Sequence, residues 1–183
     1  TLHLIAGVSY YKAAVPETIV IDHYKIDADT ADFLTSIYEN GLGEFAYRNN
    51  LSLRGKIKFP YIPSSGSLSH LLPEGEGKTN ASTLGLNNHA LVAIGGGKDS
   101  LVSIESLRRM NIPQTVTWIG SAPLIRSCAE RTGLPLLNIT RQLAPEMFAM
   151  NKQGALNGHI PVTAINSAIL TVAALLANAN QVV

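Results

Sequence analysis

From residue 90 onward, short apolar runs alternate with stretches whose apolar residues recur every three or four positions. That alternation predicts successive strand–helix–strand units. The first strand covers 91–94. A helix follows over about 99–110, with Leu101, Ile104, Leu107 and Met110 spaced by three along one face. Arg108 and Arg109 suit its negative end, and Asn111 and Pro113 stop it. Residues 115–119 and 134–139 read as strands, on either side of a helix over 123–132 that Gly133 closes. After an irregular stretch, Pro161 stands in the first turn of a helix, whose apolar stripe runs through Val162, Ile165, Ile169, Val172 and Leu176. Gln181 begins a fourth strand. This order predicts an α/β fold: a doubly wound, mostly parallel sheet with right-handed crossovers and helices on both faces. The chain stops as the fourth strand begins, so the sheet domain is expected to be incomplete at its C-terminus.

The first third follows a different pattern. Residues 1–62 read as a small α+β region, with strands over 2–11 and 18–22 and a helix over 29–47 that turns Ala31, Leu34, Ile37 and Tyr38 inward. Asp29 and Thr30 supply its N-cap, and 56–61 reads as a further strand. Residues 63–88 are rich in Ser, Gly, Pro, Asn and Glu, a composition that describes a linker or mobile loop. The expected organisation is therefore 1–62, a linker over 63–88, and a sheet domain over 89–183. No internal repeat or low-complexity tract interrupts it.

Chemistry concentrates where the first predicted strand meets its helix, at Ala90-Leu-Val-Ala-Ile-Gly-Gly-Gly-Lys-Asp-Ser100. Gly95, Gly96 and Gly97 let the backbone take positive φ and approach a ligand with no Cβ in the way. The helix that follows presents unpaired N–H groups and the positive end of its dipole to an anion. Lys98, Asp99 and Ser100 add a cation, a carboxylate able to hold a metal, and a hydroxyl. A Walker A loop is excluded twice: Val92 stands where its first glycine belongs, and Asp99 separates Lys98 from Ser100. The dinucleotide fingerprint fits Gly95 and Gly97 but meets Ser100 in place of its third glycine. What remains resembles the pyrophosphatase loop (PP-loop, Ser-Gly-Gly-x-Asp-Ser) of the N-type ATP pyrophosphatases, matched from Gly96 to Ser100. Gly95 replaces the leading serine, which removes one hydroxyl contact to phosphate. The resemblance implies a sheet of the adenine-nucleotide alpha-hydrolase type.

Composition narrows the remaining choices. With 183 residues, 46% apolar and 15% charged, the chain is long enough and apolar enough to fold around a core. A formal net charge of +1 gives no electrostatic case for nucleic acid or a membrane surface. No apolar run approaches the roughly 20 residues that cross a bilayer, and residues 1–20 lack the basic start of a secretory signal. The single Cys128 excludes an internal disulfide and fits a reducing, cytoplasmic setting.

Outside the loop, Asn157-Gly-His159-Ile-Pro161 precedes the long helix. Its amide, imidazole and following N–H groups are suited to a substrate carboxylate or phosphate, or to an ordinary turn and cap. Lys12 follows Gly7-Val-Ser-Tyr-Tyr11 and is either a substrate contact or part of an exposed strand. His3, His23, His70 and His89 are scattered, with no metal-ligand spacing. Cys128 falls on an apolar helix face with Leu124 and Ile125 and reads as core. Trp118 ends a strand, where it either lines an adenine site or packs inside.

Four segments carry a wider resemblance: Gly-Val-Ser-Tyr-Tyr-Lys at 7–12, Glu-Phe-Ala-Tyr-Arg-Asn at 44–49, Ile-Gly-Gly-Gly-Lys-Asp-Ser at 94–100 and Asn-Gly-His-Ile-Pro-Val-Thr-Ala at 157–164. Together they resemble the bacterial UDP-N-acetylmuramoyl-L-alanyl-L-glutamate epimerase family, whose members are considerably longer. That resemblance implies an isomerase of cell-wall synthesis that inverts the terminal L-glutamate of a nucleotide-linked peptidoglycan precursor. The implied reaction uses ATP and Mg²⁺, passes through an acyl-adenylate and releases AMP and pyrophosphate. By the same resemblance the 95–100 loop holds ATP, Lys98 and Asp99 act in catalysis, and Asp99 approaches the metal. Asn157, His159 and Lys12 contact substrate. His159, whose ordinary pKa suits proton transfer, and Lys12, if burial lowers its pKa, are the candidates for the α-carbon base. A carboxylate-adenylating amide ligase and a non-catalytic nucleotide-binding module remain as alternatives. A tRNA-thiolating enzyme is disfavoured by the single cysteine and near-neutral charge.

Overall fold

A computed structural model describes residues 1–63 and 84–183. Most of the stretch read as a linker therefore lies outside the described residues, and its last two positions, Asn87 and Asn88, already belong to a strand. The chain divides into two compact units. One comprises Thr1–Pro73 with Leu143–Ile165, and the other Glu74–Gln142 with Asn166–Val183.

The first unit is helical. Its elements are α1 (Leu2–Ala6), α2 (Val8–Ala14), α3 (Ala28–Gly41), α4 (Gly43–Arg48) and α7 (Pro145–Lys152), together with the first turn of α8 (Val162–Leu176). No strand occurs among its described residues, which corrects the α+β reading of 1–62. Residues 2–11 carry the aromatic and branched side chains of a strand. Yet the buried positions of 2–14 are Ile5, Val8, Ser9, Tyr11, Lys12 and Ala13, in which 5, 8, 9, 12 and 13 follow the three-to-four spacing of a helix face. Residues 18–22 have no regular structure. Around 56–61, Ile57 and Phe59 are buried in strand-like alternation, but no neighbouring strand completes a ladder among the described residues. The helix expected over 29–47 breaks at Leu42 into α3 and α4. Its cap is Asp27, whose side chain accepts from the Thr30 N–H at 2.7 Å, in place of the expected Asp29-Thr30. Tyr38 holds the unit's centre: its hydroxyl donates to the Leu4 carbonyl at 2.6 Å, and its ring meets Tyr11 and Phe59 edge-on. Leu34, Leu42, Phe45 and Ile57 are almost completely buried around it, each stabilising by about 1.5–3 kcal/mol.

The second unit is the expected parallel sheet. Strands β1 (Asn87–Ala93), β2 (Gln114–Ile119), β3 (Leu136–Ile139) and β4 (Ala179–Val182) lie in the order β3-β2-β1-β4, all pairs parallel. Helices α5 (Lys98–Arg109) and α6 (Pro123–Glu130) link the first three strands. The α5 positions Leu101 and Met110, expected on the inner face, are exposed, and Ile104 and Leu107 carry the burial. Ala90, Val92 and Ile94 face one way and pack with Ile104, Leu107, Val116 and Trp118. Leu91 faces the other way, with Ala174 and Ala179 and with Leu170 and Ala173 of α8 against it. Helices thus cover both faces of β1, and its central residues Ala90–Val92 are buried without alternation. The anticipated α8 stripe holds at Ile165, which is fully buried, but not at Leu176, which is 84% exposed; Leu170, Ala173 and Ala174 pack inward in the later turns.

Candidate functional site

Residues 95–100 sit at the carboxyl end of β1. The strand runs on to β2 and β3 on one side and is flanked by β4 on the other, so this is the point where strand order reverses and open α/β sheets bind ligands. The chain passes from fully buried Leu91 and Val92 to five exposed residues, Gly95 to Asp99, within a few positions. Gly96 has φ +82°, a conformation that L side chains rarely adopt. A Cβ at Gly95 or Gly97 would meet nothing within 4 Å, so that face of the backbone is open. Gly97 begins α5 with no side-chain cap, which leaves the first N–H groups of the helix available to an anion. Lys98 and Asp99 occupy the first turn, and neither forms an ion pair among the described residues. Ser100 turns back, its hydroxyl donating to the Gly97 carbonyl at 3.0 Å, which braces the turn.

This donor set fits a phosphate. Among the described residues no cluster of three His, Cys, Asp or Glu side chains stands ready for a metal. Asp99 is thus a single carboxylate, which fits a magnesium ion shared with phosphate oxygens better than an all-protein cage. Beside the loop, Trp118 is 7% exposed and packs in the core while also lining a recess of about 330 Å³ with Gly120, Ser121, Arg126 and Asn138. Cys128 packs against the same core.

The other sequence-predicted residues assemble in the helical unit. Lys12 lies on a helix and is 7% exposed, which corrects the reading of an exposed strand. Its Nζ donates to Asn157 Oδ1 at 2.5 Å across 145 residues of sequence. Burial pulls its pKa below the ordinary lysine value. Asn157 Oδ1 also accepts from the Gly158 N–H at 3.0 Å, and the Asn157 carbonyl accepts from Asn49 Nδ2 at 3.1 Å. A Cβ on Gly158 would come within 3.1–3.3 Å of buried Phe45, so a side chain there would fit only if Phe45 shifted. The turn at 157–161 is therefore held from three directions, and His159 is exposed upon it.

Three of the four segments singled out in the sequence meet at this turn: Lys12 from 7–12, Phe45 and Asn49 from 44–49, and Asn157 from 157–164. Asn49 was not anticipated, although it ends a quoted segment. Nor was Tyr10, whose hydroxyl accepts from the Ala144 N–H at 3.1 Å, at the start of the unanticipated α7.

The family described as the MurL N-terminal domain matches residues 1–183, the whole chain. A UDP-N-acetyl-alpha-D-muramoyl-L-alanyl-L-glutamate epimerase of Xanthomonas oryzae pv. oryzae is 63% identical over 182 residues, which is 100% of this chain and 38% of that protein. Proteins of the same name from Salinispora tropica and a Micromonospora species are 37% and 39% identical, with 37% and 38% of their lengths covered. The chain thus spans less than two fifths of the length of these relatives. No solved structure matches it significantly.

Proposed function

This chain belongs to the MurL N-terminal domain family, and from that premise we propose that it forms the nucleotide-binding part of an ATP- and magnesium-dependent epimerase. The substrate is UDP-N-acetylmuramoyl-L-alanyl-L-glutamate, the compound in its relatives' name, and the product carries D-glutamate. The observation that carries this reading is the exposed triple-glycine turn between buried β1 and the uncapped start of α5. An anionic, phosphate-rich co-substrate suits that place, and a loop of the PP-loop type binds ATP there.

The chemistry needs ATP for a physical reason. An ionised carboxylate makes its own α-proton hard to remove, because the resulting dianion concentrates charge. A carboxylate oxygen of the glutamate attacks the α-phosphorus of ATP and the bond to pyrophosphate breaks. The resulting acyl-adenylate has lost that negative charge, so its α-carbon is more acidic. A base then takes the α-proton and the proton returns on the opposite face. Water finally cleaves the mixed anhydride and releases AMP.

In this reading the N–H groups of the 95–100 loop and the Lys98 ammonium hold the phosphates, where they stabilise the charge that develops on the leaving pyrophosphate. Asp99 would hold magnesium, which would supply charge neutralisation. His159, exposed on a braced turn, is the group assigned to proton transfer. Lys12 and Asn157 serve the substrate side by fixing that turn.

The full-length protein, incubated in D₂O with the substrate, ATP and Mg²⁺, should place deuterium at the glutamate α-carbon and yield the D-epimer. Omitting ATP should stop both. Pyrophosphate release without deuterium uptake, with amide formed when ammonia is supplied, would replace this reading with that of a ligase. ATP binding with no pyrophosphate release would reduce it to a binding module.

A further inference from the structure

The helical unit contains a cavity of about 860 Å³ that none of the steps above uses. Its size suits a small-molecule ligand. One wall is the end of α2 and the residues after it, including Tyr11, Val15 and Glu17. The other is the segment that follows α4, including Asn50, Lys56 and Lys58.

Two independent observations mark this cavity. The first is backbone strain. Val15 sits at φ 46°, ψ 58° in the left-handed region, where a β-branched residue is an outlier, and it precedes Pro16, which further restricts its backbone. Asn50 at φ 53° and Gly55 at φ 73° line the same cavity, in a backbone conformation their residue types tolerate, so the strain is that of Val15. Strain of this kind collects at ligand sites, where the surroundings hold a shape that the local sequence disfavours. The second is charge. Lys56 and Lys58 flank buried Ile57, with Cα atoms no more than about 7 Å apart, and both line the cavity. Neither forms an ion pair among the described residues. Glu17 is the acidic residue of the lining, and Glu39, outside it, accepts from the N–H of lining Gly55 at 2.6 Å. Arg54 lies two positions earlier, so three of the chain's fourteen Lys and Arg residues fall within five positions of a molecule whose net charge is only +1.

We propose that this cavity binds the uridine diphosphate end of the nucleotide-linked substrate, with Lys56 and Lys58 as its phosphate ligands. The inference rests on the function proposed above. That reading gives the 95–100 loop to ATP, so the second phosphate-bearing molecule requires cations of its own. Two ammonium groups two residues apart can share one diphosphate by charge-assisted hydrogen bonds. The recess beside them accommodates the uncharged parts of the ligand.

The test is calorimetric titration of the full-length protein with UDP, inorganic pyrophosphate and a non-hydrolysable ATP analogue, separately. The variants are Lys56→Ala/Lys58→Ala and Ser52→Trp, the latter placing a bulky ring at an exposed position of the lining. UDP should bind the wild type, weaken at least tenfold in both variants and lose much of its salt dependence in the first, while the ATP analogue binds all three proteins equally. UDP that fails to bind the wild type, or binds the lysine double variant with unchanged affinity, overturns the proposal. So does pyrophosphate matching UDP at the lysines, because the recess then contributes nothing. The D₂O experiment judges the reaction separately. Exchange without lysine-dependent UDP binding removes only this cavity's role. Lysine-dependent UDP binding without exchange removes only the epimerase.

Discussion

The two candidate regions are built in opposite ways. The loop at 95–100 is six consecutive residues, exposed as far as Asp99, with its helix left uncapped. The turn at 157–161 is held by Lys12, Phe45, Asn49 and Asn157, drawn from three distant segments, with Lys12 and Phe45 buried beneath it. One region leaves backbone donors unsatisfied for a ligand to complete. The other ties the Asn157 oxygens to Lys12, Asn49 and the Gly158 N–H and leaves His159 exposed. A site made of free N–H groups is fragile to backbone change and insensitive to its surroundings. A site made of packed contacts behaves in the reverse manner, and the two can be broken separately.

The largest effect is expected from Gly96→Val. A branched side chain at φ +82° forces the turn out of shape. Affinity for ATP should fall more than about a hundredfold, roughly 2.7 kcal/mol, while thermal unfolding of the full-length protein changes little. Calorimetry showing wild-type affinity would remove the loop from nucleotide binding. Next comes Lys98→Ala, which deletes one charge-assisted contact of about 1.5–3 kcal/mol. Pyrophosphate release should slow about tenfold to a hundredfold, by more than ATP affinity weakens, if the contact strengthens in the transition state. Equal losses in both would make Lys98 a ground-state binder.

Gly158→Ala tests the packed region. Its Cβ would press on Phe45 at 3.1–3.3 Å, and overpacking of this kind costs about 1–3 kcal/mol. The expected result is a lower unfolding midpoint in denaturant with ATP affinity unchanged. A loss of ATP binding as large as that of Gly96→Val would end the contrast between the regions.

The smallest effect is a pH slope. Burial lowers the Lys12 pKa, so between that lowered value and the ordinary lysine value the unfolded chain binds more protons than the folded one. Stability contributed by this group therefore rises with pH through that window. Lys12→Met should lack the rise, and the gap between wild type and variant should shift in favour of the wild type as pH approaches 10.5. Tyr11 and Tyr38 have pKa values raised chiefly by burial, which acts oppositely above pH 10, but both proteins share that term. Parallel curves from urea unfolding at several alkaline pH values would show that Lys12 is effectively solvated.

The β1–loop–α5 unit was legible because its signals are local. A continuous apolar run gives way, across three glycines, to apolar residues recurring every three or four positions, and nothing distant is needed to read that change. The parallel sheet followed from repeating the same signal. The N-terminal helices were not legible in the same way. Ile5, Val8 and Tyr11 have strand propensities, and the spacing that settles the matter becomes visible only once burial selects them, Tyr11 against the ring of Tyr38. Asp27 rather than Asp29 caps α3 because the cap is decided by which carboxylate reaches the Thr30 N–H.

Sequence alone determined the alternation of strands and helices from β1 onward, α7 excepted, and the open glycine turn with the residues that stand in it, because each depends on neighbours within one turn of chain. Tertiary structure decided that residues 2–14 are helical, that Leu143–Ile165 joins the N-terminal unit, and that Lys12 meets Asn157. Those outcomes turn on burial and on hydrogen bonds between segments more than a hundred residues apart. Local propensity, worth only tenths of a kcal/mol per residue, is outweighed there by packing worth several.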